Sequence, residues 1–286
     1  MHPPKPHYST ALAGIPLQER VEKQTMADFQ FAQSRTGAQT GDMSLDAGLR
    51  KFMLGVYNKL ALGILLAGVL AYAGVTVEPI RDFVFGNPFG SSPMFMVVQW
   101  GPIVLLLGSM FMMKNPSPLA SGILYWAIVT LMGLGLGVWV MAAETGTGLS
   151  TRGGIGMATT YVTIAKAFLI TASAFGALSL FGYTTKRDLS GIGSFAMMAV
   201  WGVLAMSLLN FILPPSSMFE WIIMGAVFAL SAVLIAVETQ QLKTMYYNIG
   251  GDARGLAAMT NIGALNFFVS FINMFRIVLM FLSSRE

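Results

Sequence analysis

Five ionisable side chains interrupt long apolar stretches of this sequence: Lys59, Lys166, Glu220, Glu238 and Arg276. A charge inside a hydrocarbon layer is costly. Where one persists, it faces a bundle interior, a water-filled cavity or a partner of opposite sign. Lysine and arginine near the end of an apolar stretch can instead carry their charge to the headgroups on long stems, which accounts for Lys59 and Lys166 without any partner. Glu220 lies so near a boundary that interfacial water can solvate it. Glu238 differs. Its stem is short, and Thr239, Gln240 and Gln241 follow it, a polar cluster suited to a wet crevice. Glu238 can therefore end a helix, sit in a structural ion pair or act on an ion path. By depth, Lys59 and Glu238 can pair toward one side of the layer, and Glu220 and Glu144 can neutralise Lys166 and Arg276 toward the other.

The last apolar stretch adds Asn266, Ser270 and Asn273. Their i, i+4, i+7 spacing places them on one face of a helix. Phe267, Phe268, Phe271 and Phe275 surround that stripe, which predicts a central helix whose polar face looks into a bundle. Interhelical hydrogen bonding explains such a stripe; so does a path for water or ions. Several chemistries are excluded. The two histidines, His2 and His7, lie in the polar N-terminal region and there is no cysteine, so the apolar stretches hold neither histidine metal ligands nor a Ser-His pair. The last stretch has no lysine for a retinal Schiff base. No nucleophile–base pair assembles, and the expectation is a protein that is not an enzyme and has no resident cofactor.

The elements that must position these groups follow from composition. The 286 residues are 55% hydrophobic and only 10% charged, with mean hydropathy +0.67. A soluble domain is about 25% charged, so the class is an integral, all-α membrane protein. A bilayer core takes about 20 apolar residues in a helix. Seven stretches qualify: 53–74, 94–113, 119–141, 158–181, 191–213, 218–241 and 260–282. Turn and charge signals such as "KNPSP", "LPPSS" and "NIGGDARG" separate them. "GLGLG" (Gly133, Gly135, Gly137), "SAFGALS" (173–179) and Gly191 with Gly193 read as close helix packing. The 21 methionines read as packing filler.

Residues 1–50 read as a polar, mostly disordered cytoplasmic tail, rich in Pro, Gln, Ser and Thr, ahead of a membrane domain at 51–286. A short surface helix at 16–34 is compatible with them. No apolar signal core is visible, and Glu19, Glu22, Asp28, Asp42 and Asp46 argue against a transit peptide. Basic residues orient the spans. With the N-terminus inside, the inner segments hold Arg50, Lys51, Lys114, Lys186, Arg187, Lys243 and Arg254. The outer ones hold Arg81 and Arg152, with Arg285 at the C-terminal end. The net charge of +4 then reflects topology, not nucleic-acid binding.

Four segments resemble the Bax inhibitor-1 family in its bacterial YccA-like branch. They are "LRKFMLGVYNKLALG" (49–63), "FGYTTKRDLSGIGSF" (181–195), "AVETQQLKTMYY" (236–247) and "GALNFFVSFINMF" (263–275), and their order and spacing match. The resemblance covers the chain from about residue 45 onward. It implies seven helices with the last one at the centre, wrapped by the other six. Some members of the family behave as pH-sensitive calcium leak channels; others modulate a membrane-bound AAA protease or stress responses. The family's site is a pair of aspartates, one in the sixth helix and one in the seventh. Here Glu238 stands at the first position and Ser270 at the second. Two neighbouring carboxylates share a proton, and one alone cannot. The arginine expected on the second helix as a lock is absent from 94–113, and a Glu238–Lys59 pair holding an inner gate shut is the hypothesis offered in its place.

The resulting expectation is an inner-membrane protein, N-terminus in the cytoplasm and C-terminus outside, that passes cations, calcium first, with altered or lost pH gating. A mitochondrial inner membrane is the less favoured location. Glu238, Ser270, Lys59, Asn273 and Asn266 are its gating and path residues, and Arg276, Lys166 and Glu220 its further intramembrane charges. The alternative is a non-conducting modulator or substrate-like partner of a membrane-bound AAA protease, which would grip the polar tail.

Overall fold

A computed structural model describes residues 47–86, 90, 92–112, 117–146, 148–150, 156–249 and 252–285. The expected tail at 1–46, with its surface helix, lies outside the described residues, as do Lys114 and Arg152. The described residues form eight helices and one minimal ladder. The helices are α1 Ala47–Thr76, α2 Glu78–Val84, α3 Pro93–Met112, α4 Pro118–Thr145, α5 Tyr161–Thr184, α6 Ser190–Ile212, α7 Ser217–Ile249 and α8 Ala253–Ser283. Strands β1 Leu149–Ser150 and β2 Gly156–Met157 pair antiparallel, Leu149 opposite Met157.

Six of these helices are long and apolar enough to cross a membrane: α1, α4, α5, α6, α7 and α8. The apolar part of α3, Pro93–Ser109, is shorter, and Pro102 stands inside it. Local chemistry sets the boundaries. Ser117 caps α4, accepting from the Ala120 N–H at 3.1 Å, with Pro118 at the first helical position. Gly146 ends α4 with φ +64°, a left-handed conformation that glycine adopts without strain. Thr160 caps α5, and Asp252 caps α8 through the N–H groups of Arg254 and Gly255. Leu213 turns extended ahead of Pro214, which stops α6.

Several helices outrun the apolar stretches that predict them. α7 continues eight residues past 241 to Ile249, and α8 begins at Ala253 instead of 260. Helical hydrogen bonding does not stop where apolarity stops, so polar turns such as "QLKTMYYNI" extend beyond the hydrocarbon.

Of the six long helices, α8 is the most buried. In its most apolar window 56% of residues are buried within the chain, against 11% for α6. Phe267, Phe268, Met274 and Leu279 are fully enclosed. Tyr57 stacks on Phe267 with centroids 5.6 Å apart, and Phe175 meets Phe267 and Phe271 edge-on at 5.5 and 5.7 Å. α8 packs against α1, α4, α5 and α7. Glycine serves close approach at two crossings. A Cβ on Gly133 of α4 would lie 2.7 Å from Ala67 Cα of α1. One on Gly182 of α5 would lie 2.9 Å from Ala236 Cα of α7. Gly193 abuts Val237, but Gly176 and Gly191 have open space, so only part of the expected small-residue packing is realised.

Candidate functional site

Glu238 is placed deep in α7, not at the end of a helix. Eleven residues separate it from Ile249, about 16 Å at 1.5 Å per residue. Its two carboxylate oxygens lie 3.2 and 3.0 Å from Ser270 Oγ of α8. The hydroxyl has one proton, so Glu238 receives one donated bond shared between two oxygens. No other described residue donates to it. Ser270 is buried, and it is 13 residues from the end of α8 at Ser283. The two residues matched to the family's site thus meet near the middle of their helices.

Lys59 does not pair with Glu238. Its ammonium donates to Asn261 Oδ1 of α8. Asn261, itself buried, donates to the Pro118 carbonyl at 2.8 Å and to Ser121 Oγ at 2.9 Å. Tyr125 Oη donates to the Lys59 carbonyl at 2.6 Å, and the Lys59 ammonium lies 5.7 Å from the Tyr125 ring centroid. Asn261 uses both amide hydrogens and its carbonyl, so α1, α4 and α8 are clamped by a satisfied cluster. The expected inner-gate pair is therefore replaced by two separate centres. The physical reason is reach. Asn261 sits beside Lys59 from the start of α8, while Glu238 points at the middle of α8.

The "AVETQQLKTMYY" segment is a series of ties between helices. Thr239 lies 3.1 Å from Ser179 of α5, which bonds Tyr57 of α1. Gln240 donates to the Arg187 carbonyl and accepts from the Leu189 N–H, both at 2.7 Å, fixing the start of α6. Buried Lys243 donates to the Tyr183 carbonyl at 2.6 Å. Sequence reading gave Thr239 and Gln240 a wet crevice and left Lys243 among orienting charges. The i, i+1, i+4 run of bonding side chains was the signal that they are fastenings to α5 and α6.

The stripe on α8 splits. Ser270 is buried against Glu238, while Asn266 and Asn273 are exposed. Asn273 and Arg276 line a cavity of about 290 Å³ with Gln99 of α3 and Gly135 of α4. Neither Arg276 nor Lys166 has a hydrogen bond or ion pair to another described residue. Lys166 is exposed on α5. Glu220 is buried near the start of α7. Among the described residues no three His, Cys, Asp or Glu side chains gather as a metal site would require.

A multi-pass α-helical membrane protein with a lone carboxylate held between its last two helices is the class these features define. A family model described as inhibitor of apoptosis-promoting Bax1 matches residues 49–286. A Caulobacter vibrioides protein is 45% identical, over 90% of this chain and 98% of its own length. A Rickettsia prowazekii protein is 35% identical, over 85% and 93%. The Escherichia coli inner membrane protein YbhL is 32% identical, over 84% and 94%. The chain belongs to the Bax inhibitor-1 family.

Proposed function

We propose that this protein is a passive cation leak, with calcium its first substrate, and that Glu238 with Ser270 lies on the path. One observation carries the reading. A half-buried carboxylate on α7, facing α8, has a single hydroxyl donor and no cationic partner among the described residues. Such a group invites a transient cation, because a counter-ion relieves its burial. A permeating ion must also leave, which suits two weak oxygen ligands better than a closed cage.

The pH control that two carboxylates provide through a shared proton is lost at this pair, since Ser270 contributes a hydroxyl. Lys59 belongs to the clamp and not to the gate. The same reading takes α3 as a seventh span, shortened around Pro102, and α8 as the central helix. It keeps the N-terminus inside, from the basic residues at the inner ends. An inner-membrane location is supported by the printed name of the Escherichia coli relative. The protease-modulator alternative rests on the tail, outside the described residues, and nothing in the described helices favours it. The test is calcium flux from purified protein in liposomes. Wild type leaks calcium, and Glu238→Gln lowers the rate about tenfold; equal rates at every pH would end the proposal.

A further inference from the structure

The crevice between α3, α4 and α8 is separate from the Glu238 centre. Arg276 lies seven residues before Ser283, about 10 Å inside the end of α8. It faces the 290 Å³ cavity together with Gln99 and Asn273, and none of the described residues lining that cavity is a carboxylate. A guanidinium at this depth with no acceptor among the described residues leaves five N–H donors and a full charge to be compensated. The remaining walls are apolar, including Pro102, Ile103 and Leu106 of α3. Ile103 is exposed, and Val104 and Leu107 next to it expose 65% and 53% of their surface, so the cavity borders a face that acyl chains cover.

We propose that this crevice binds the anionic headgroup of a membrane lipid. The phosphate accepts from the Arg276 guanidinium, a bidentate match of plane and charge. The amides of Gln99 and Asn273 donate to its remaining oxygens, and the acyl chains lie along the apolar face of α3. The cavity holds a phosphate and glycerol, not a whole lipid, which is why the chains must lie outside it. A neutral headgroup that carries its own ammonium competes poorly, because that charge would sit against Arg276.

The experiment uses purified full-length protein in a zwitterionic detergent. Thermal unfolding is followed with phosphatidylglycerol, phosphatidylcholine or inorganic phosphate added, and lipid retention is read by native mass spectrometry. Wild type is expected to gain several degrees with phosphatidylglycerol alone, and to retain it. Arg276→Gln should bind it about tenfold more weakly. Asn273→Leu, which keeps the arginine but fills the crevice, should also lose the shift, so the site is tested even if Arg276→Gln folds poorly. Equal shifts with phosphatidylcholine, an equal shift with inorganic phosphate, or undiminished phosphatidylglycerol binding by both variants would overturn the proposal.

Discussion

Two polar centres lie along α8, and they are built on opposite terms. At Asn261, every hydrogen-bonding group has a partner: Lys59, the Pro118 carbonyl and Ser121. At Ser270, one hydroxyl serves a whole carboxylate. The first centre joins three helices through a fully bonded Asn261 amide. The second leaves a half-buried carboxylate with spare acceptor capacity. A saturated polar cluster specifies how helices dock. An under-satisfied one can accept a visitor. The two centres lie on one helix, nine residues apart, and the proposed ion path uses only the second.

The comparison breaks most severely if the saturated centre proves dispensable. Asn261→Leu leaves the Lys59 ammonium without its acceptor and should cost about 2–4 kcal/mol, read by unfolding in detergent. The double change Lys59→Met with Asn261→Leu removes both partners and should recover much of that loss, since apolar replacement of a buried pair is often close to neutral. Next in size is Ser179→Ala, which cuts the Tyr57–Ser179–Thr239 chain joining α1, α5 and α7 and should cost about 1 kcal/mol.

Changes at the under-satisfied centre should be quiet in stability and loud in transport. Ser270→Asp places a second carboxylate within hydrogen-bonding distance of Glu238. The pair must then share a proton, so calcium flux across a pH series should acquire a step that wild type lacks. The smallest effect is expected outside the membrane. The backbone N–H of Ser190, followed by its hydroxyl, holds Asp188 below the usual carboxylate range. Its folded-state value is depressed, so its contribution is present at neutral pH and is lost only as pH falls through that lowered value. Asp188→Asn should loosen the start of α6 at neutral pH, seen as faster amide exchange at Ser190, and make no difference in strong acid.

Much of this was legible in the residues. Apolar length gives the positions of the long helices, and the family motifs single out Glu238 and Ser270. Helix ends were less legible, because "QLKTMYYNI" is polar yet still helical. α2 was missed because "EPIRDFV" is short and amphipathic, with no apolar stretch to announce it. The partner of Lys59 was misplaced for a different reason. Depth alone made Glu238 available, but Asn261, 202 residues away in sequence, is selected by the rotation of α1 against α8. Sequence spacing within one helix reports a face; it does not report which neighbour that face meets. The split of the Asn266–Ser270–Asn273 stripe has the same origin.

The central claim is that transport depends on Glu238 and not on the Lys59–Asn261 clamp. Calcium flux into liposomes carrying equal amounts of folded protein decides it, comparing Glu238→Gln with the Lys59→Met, Asn261→Leu double variant. The account predicts that Glu238→Gln lowers flux about tenfold while the double variant stays within about twofold of wild type. Wild-type flux in Glu238→Gln, or loss of flux in a folded double variant alone, would contradict it.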